Sequence, residues 1–155
     1  MYSIDIIAVG NFKEQYLKTA AQEYLKRFSL YAKISCIEIK EESFTNVLER
    51  EKIIQREQDR IRKHIKKDSS VVILDAEGKE FSSQQFSQFI KQKGEQGQRI
   101  TFIIGGSLGF SDEFKKEYDV ISLSQLTFPH QLARIVLLEQ LYRAMTILHS
   151  KQYHY

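Results

Sequence analysis

The sequence predicts an α/β fold with a mainly parallel sheet flanked by helices. The prediction rests on three observations. Two continuous apolar runs, "SVVIL" and "ITFII", end at an acid or at glycines, as strands buried on both faces of a parallel sheet do. Segments with apolar residues at helical spacing alternate with these and other β-rich runs. No repeat or low-complexity linker breaks the alternation, so residues 1–155 read as one domain.

The elements follow in order. "SIDIIAV" (Ser3–Val9) is β-rich and stops at Gly10. Tyr16, Leu17, Ala20, Ala21, Tyr24, Leu25 and Phe28 then recur at helical spacing and predict an amphipathic helix with one buried face. "KISCIEIK" (Lys33–Lys40) reads as a second strand. The charged stretch from Phe44 to Lys67 predicts a mostly solvated helix with Ile54, Ile61 and Ile65 on its inner side. Ser70–Lys79 is a buried strand ended by Asp75 and Gly78. Ser82 or Ser83 suits the cap of a helix that buries Phe86, Phe89 and Ile90, and "KGEQGQR" (Lys93–Arg99) reads as the loop after it. "ITFIIGGSLGF" (Ile100–Phe110) is a strand running into glycines. Ser111 then opens a short helix whose Asp112 and Glu113 suit the positive end of its dipole. Asp119–Ser124 is the last strand.

Composition narrows the function classes. Hydrophobic residues make up 42% of the chain and charged ones 28%, and no apolar run approaches the roughly 20 residues that span a bilayer. The N-terminus lacks the basic region and cleavage site of a signal peptide, so no membrane partner and a cytoplasmic location are expected. The single cysteine, Cys36, cannot form an internal disulfide, and no Cys/His spacing suits a metal, so none is expected. The net charge of +3 permits a nucleic-acid partner without requiring one.

Ligands of open α/β sheets sit beyond the carboxyl ends of the strands. Here the candidates are Leu74–Gly78, Gly105–Gly109 and Leu123–Phe128. "GGSLG" is neither a P-loop nor a dinucleotide fingerprint. It is either a tight strand-to-helix turn or a place where backbone approaches a ligand closely. Asp75, a lone acid at a strand end, is best read as capping a turn.

Pro129 is the only proline, and it stands between a Ser/Thr-containing loop and a helix apolar nearly all round. Its fixed φ suits the first turn of a helix and biases Phe128 to an extended conformation, which gives the loop a defined end. The helix, with Leu132, Ile135, Val136, Leu141 and Met145 among its apolar residues, must be buried on more than one side. A second copy of the chain and the interior of one monomer are both open as its cover. Glu139 and Arg143 are spaced for an ion pair, which leaves Arg134 to find a phosphate or a ligand carboxylate. His130 is either a base, a ligand contact or a polar residue at a helix start.

Taken together, "AVGNFKEQY", "ILDAEGK", "FIIGGSLGF" and "LSQLTFPHQLARIVLLEQLYRA" followed by "YHY" resemble the ribosomal RNA large subunit methyltransferase H family, the small single-domain branch of the SPOUT methyltransferases. The resemblance spans essentially the whole chain. It implies a C-terminal trefoil knot, a homodimer packed through the helix after Pro129, and S-adenosylmethionine as methyl donor. It implies cofactor contacts at Leu74, Gly105 and Gly106 and along Leu123, Ser124, Gln125, Leu126, Thr127 and Phe128. It further implies methyl transfer to N3 of a pseudouridine in 23S (large-subunit) rRNA on the assembled ribosome. A ring nitrogen must lose its proton in that reaction, and His130, Tyr153 and His154 are the candidate bases, with Arg134 and Arg143 for electrostatic contacts. Tail residues of one subunit are expected to complete the site of the other. The tail departs from the family at Tyr155, where a basic residue is usual and this chain offers an aromatic ring. Two other readings stand beside it: a non-catalytic ribosome-associated module of the same fold, and a nucleotide-binding protein with no RNA partner.

Overall fold

The strands run in one direction and stack in the order β2-β1-β4-β3-β5. They are β1 (Tyr2–Val9), β2 (Ala32–Ile39), β3 (Ser69–Glu80), β4 (Arg99–Ile104) and β5 (Asp119–Ser122). The helices are α1 (Gln15–Phe28), α2 (Arg50–His64), α3 (Ser83–Glu95), α4 (Asp112–Lys116) and α5 (His130–Leu148), and a 3₁₀ turn spans Val47–Glu49. The computed structural model describes residues 1–43, 46–96, 99–151 and 153. The α/β class predicted from sequence is met, and every strand pairing is parallel.

Side-chain alternation along each strand builds the layers. Ile4, Ile6 and Ala8 of β1, with Phe102 of β4 and Val72 of β3, face Phe28 of α1, Ile90 of α3 and Leu137, Leu138 and Leu141 of α5. Ile7, Val9, Ile73 and Ile103 face the other way, onto Ile61 of α2 and Phe114 of α4. The sheet is therefore covered on both sides, and its central strands read as unbroken apolar runs for that reason.

Several boundaries differ from the sequence expectation. The helix expected over 44–67 is α2 plus the 3₁₀ turn, and it ends at His64, where Ile65 turns extended (ψ 117°). Its start at Phe44 falls outside the described residues. Its buried face is Ile53, Glu57, Gln58 and Ile61 rather than Ile54, Ile61 and Ile65. Two polar residues on that face hide the helical stripe from a hydrophobic count. Both serve backbone: Gln58 Oε1 accepts from Ser111 N at 2.7 Å, and Glu57 Oε2 accepts from Glu42 N at 3.4 Å. The loop expected from Lys93 begins later, since α3 runs to Glu95 and carries Gly94 inside it. A Cβ on Gly94 would meet the Tyr2 ring at 2.1 Å, so the glycine lets helix and strand close up. Strand β3 continues past Asp75 to Glu80 and pairs again with β5 after a register shift, Lys79 opposite Ile121. Ser82, not Ser83, caps α3, in a capping box with Gln85.

Candidate active site

The carboxyl ends of β3, β4 and β5 and the first turn of α5 enclose a cavity of about 550 Å³. Leu74 lines it from β3, Gly105 and Gly106 from the end of β4, and Leu123, Ser124, Leu126, Thr127 and Phe128 from the loop after β5. Residues 49 and more positions apart in sequence, from Leu74 to Leu123, thus meet at one point because the strands that deliver them are neighbours or next neighbours. Gln125, expected among them, is exposed and is not part of the lining.

Each wall has a local cause. At Gly105 a Cβ would stand 2.8 Å from the Phe110 ring, so the missing side chain is what lets that ring fold back against β4. Phe110 in turn stacks on the buried Phe114, with centroids 5.5 Å apart. Gly109 N donates to Gly106 O at 3.1 Å, and Gly109 closes the turn at φ +71°. The glycine segment is thus both a tight turn and a cavity wall. The loop after β5 is pinned by hydroxyls: Ser122 Oγ donates to Ser124 O (2.9 Å) and Leu126 N donates to Ser124 Oγ (3.0 Å). Pro129 stands extended at the cap (φ −53°, ψ 143°), and its carbonyl accepts from Ala133 N at 2.9 Å. Asp75 makes the expected turn, accepting from Glu77 N at 2.9 Å.

His130 also lines the cavity. Its Nε2 is buried without a hydrogen-bond partner, and the carboxylate nearest to it is Glu41, with Oε2 3.9 Å away. The imidazole packs over Gly10, where a Cβ would come 2.7 Å from Nε2. Gly10 itself sits at φ +93°, a conformation that favours glycine. Glu41 and Gly10 were not among the residues the sequence pointed to. Gly10 read only as a strand stop, and Glu41 carries no motif.

Arg134 lies one turn beyond His130 and is 3% exposed. It donates to Glu38 Oε2 and to the carbonyl of Gly10, each at 3.0 Å, and its guanidinium covers the Phe12 ring at 4.1 Å. The expectation that this arginine reaches for a phosphate or ligand carboxylate is therefore replaced by an internal partner. Glu38 comes from β2, 96 positions away in sequence, which no local pattern reveals. Arg143 pairs with Glu139 as its spacing predicts, Nε to Oε1 at 3.0 Å.

Tyr153 lies apart from the cavity in this chain. Its hydroxyl donates to Glu139 Oε1 (3.2 Å), and Arg143 sits over its ring at 4.9 Å. Glu139 is nine residues along α5 from His130, about 13 Å on the helix rise, so one chain does not bring Tyr153 and His130 together. Partial burial and the charge of Glu139 push the phenol up from its ordinary value, so at neutral pH it is a donor. His154 and Tyr155 lie outside the described residues. Burial also raises the Glu57 carboxyl, with Glu41 and Glu42 adding to the effect, beside the backbone of Gly106.

Among the described residues no group of His, Cys, Asp or Glu is arranged to hold a metal ion, and no helix is long and apolar enough to cross a membrane. The volume of the cavity lies within the range of small-molecule sites. Its walls are mostly backbone and apolar side chains, with few polar groups.

A family model described as "Predicted SPOUT methyltransferase" matches residues 2–154. The chain is 45% identical over 152 residues to the ribosomal RNA large subunit methyltransferase H of Caldicellulosiruptor saccharolyticus, covering 97% of this chain and 99% of the relative. It is 46% identical over 156 residues to the protein of that name from Carboxydothermus hydrogenoformans, covering 97% and 98%. A putative ribosomal RNA large subunit methyltransferase H of Methanococcus maripaludis is 45% identical over 157 residues, covering 98% and 99%. The chain belongs to the SPOUT methyltransferases, in the ribosomal RNA large subunit methyltransferase H family.

Proposed function

We propose that residues 1–155 act as one SPOUT domain that transfers a methyl group from S-adenosylmethionine to N3 of a pseudouridine in large-subunit rRNA, on the assembled ribosome. The observation that carries this reading is the cavity. Leu74, Gly105, Gly106 and the loop 123–128, the positions the resemblance marks for the cofactor, converge on one space of about 550 Å³, with Gln125 the exception. The relatives' shared name supports the substrate class.

S-adenosylmethionine supplies a methyl on a positively charged sulfur, so the protein's share is to position the reactants, exclude water and take up one proton. Gly105, Gly106 and the loop 123–128 would hold the cofactor, that loop being threaded as the trefoil knot of the class. His130 stands at the cavity wall to receive the proton. Tyr153 and His154 would serve the cavity of a second subunit, since Tyr153 rests on Glu139 of its own helix and does not line the cavity of its own chain. The active form is then a homodimer. The half-buried Ile135 and Val136 and the exposed Leu132 (40%) form the face of α5 open to a second copy. The setting is the cytoplasm, where ribosomes are.

The test is transfer of labelled methyl from S-adenosylmethionine to intact ribosomes lacking this modification, with free rRNA alongside. Incorporation on ribosomes, mapped to N3 of a pseudouridine, is expected. A folded protein that binds ribosomes but neither binds S-adenosylmethionine nor transfers methyl would be the non-catalytic module instead.

A further inference from the structure

We propose that Glu41 is the positioning residue of His130, holding the imidazole so that Nδ1 is the ring nitrogen presented to the substrate. The inference rests on the methyltransferase reading above and adds a residue to it. His130 lines the cavity, yet its Nε2 is out of reach of solvent, turned to the pocket formed by Gly10 and Glu41. A buried ring nitrogen without a partner is costly, and a proton on it wants an acceptor. Glu41 Oε2, at 3.9 Å, is the carboxylate that faces it.

The surroundings leave Glu41 to that task. Arg134, the cation nearest along α5, is committed to Glu38 and the Gly10 carbonyl. The neighbouring Glu42 is committed to Arg56 and Arg60, at 2.9 and 2.8 Å. Among the described residues, Glu41 receives only a long hydrogen bond at its other oxygen, from Ser107 Oγ at 3.4 Å. Ser107 belongs to the glycine segment that walls the cavity, so Glu41 touches that wall through this contact. Hydrogen bonds of catalytic groups are often long in the free enzyme and tighten when the ligand is bound. A movement of about 1 Å turns the His130–Glu41 approach into a hydrogen bond of ordinary length.

With its proton held on Nε2 by Glu41, the neutral imidazole carries its lone pair on Nδ1. That lone pair accepts the proton from the target ring nitrogen, and the proton passes later to water. The arrangement has the logic of a carboxylate that fixes the tautomer of a catalytic histidine without itself being protonated.

Two readouts on the full chain test this. In protein labelled with ¹⁵N at histidine, the Nε2 proton of His130, assigned with His130→Asn, is expected as a downfield, slowly exchanging resonance that sharpens with S-adenosylmethionine and moves upfield in Glu41→Gln. In single-turnover methylation of ribosomes, Glu41→Gln is expected to slow the step about tenfold while leaving KM for ribosomes and cofactor affinity within about twofold. Glu41→Leu is the control for folding, with the same loss expected at an unchanged Tm. An unmoved Nε2 resonance and an unchanged rate in Glu41→Gln overturn the proposal. So does a rate loss that only mirrors weaker cofactor binding. If the wild-type protein transfers no methyl to any ribosome, the functional reading fails and the catalytic role falls with it. The resonance then shows whether the contact survives as structure alone.

Discussion

Arg134 donates from Nη2 to the carbonyl oxygen of Gly10 across 3.0 Å, and its Nη1 reaches Glu38, so one guanidinium ties α5 to the ends of β1 and β2. Gly10 also donates its own N–H to Ile39 O at 2.7 Å, which makes this glycine the node where both strands and the helix meet. The first turn of α5, with His130 on it, is held against the cavity by that node.

Arg134→Met keeps much of the side-chain volume and removes the donors. The Gly10 carbonyl is left unpaired in a buried place, and unfolding free energy should fall by about 2–4 kcal/mol. Urea titration measures it. Arg134→Lys should recover only part, because one ammonium cannot reproduce the forked contact to two acceptors.

Gly105→Ala and Gly109→Ala separate binding from strain. The first places a methyl 2.8 Å from the Phe110 ring, which must swing toward the cavity, and the affinity for S-adenosylmethionine should drop about tenfold or more. The second meets no atom within 4 Å but forces alanine to φ +71°, so it should cost about 1 kcal/mol of stability and leave affinity close to wild type. Calorimetric titration and thermal unfolding of both variants check the contrast.

Gly78→Ala should fail in a different way. Its Cβ would come 2.6 Å from the carbonyl carbon of Ile121, which is backbone and cannot step aside. The second stretch of β3–β5 pairing is expected to break, and the loop after β5 to lose its anchor. Reduced Tm together with weakened cofactor binding is the expected pair of results. A folded variant with wild-type Tm would show that the pairing past Asp75 does not matter.

Glu57→Gln tests a buried carboxyl that is 4% exposed. Burial foremost, then Glu41 and Glu42, raise its pKa in the fold, so the ionised form is disfavoured there relative to the unfolded chain. The penalty is fully present above the raised folded value and vanishes below the unfolded one. Glutamine should therefore stabilise the protein at neutral pH, by roughly 2–4 °C in Tm per kcal/mol recovered. The gain should fade as pH falls, and be gone below about pH 4. Thermal melts across that range check the sign. Greater stabilisation at low pH than at neutral pH would contradict it.

Leu132→Glu addresses the second subunit. A charge on the open face of α5 is expected to lower the dimer fraction in sedimentation and, with it, methyl transfer, while far-UV circular dichroism stays unchanged. A monomeric variant that keeps full activity would sink the shared-site reading.

Much of the site was legible in the sequence because its walls are strand ends and glycines. Both leave local marks: an apolar run that stops, and a residue without a side chain. The loop before Pro129 was legible for a similar reason, since a lone proline fixes where the helix begins. Glu57 and Gln58 were not legible as buried, because polar residues erase the stripe by which a helix face is recognised. The spacing points to Ile54 as the inner residue, whereas the fold buries Ile53. Gln125 stands within a lining segment but is exposed, next to Ser124, whose carbonyl accepts from Ser122 Oγ and whose hydroxyl accepts from Leu126 N.

The sequence by itself determined the alternation of strands and helices, the double-sided burial of the sheet, the three convergent strand ends and the family. Local periodicity and short motifs carry all of these. Only the tertiary structure decided what the charged residues do. Arg134, read from its helix alone, lacks a partner, and the fold supplies Glu38 from 96 positions away. His130 and Glu41 lie 3.9 Å apart for the same reason. Parallel strands are joined by long crossovers, so residues that meet at their carboxyl ends are far apart in the chain, and no local spacing can show that they touch.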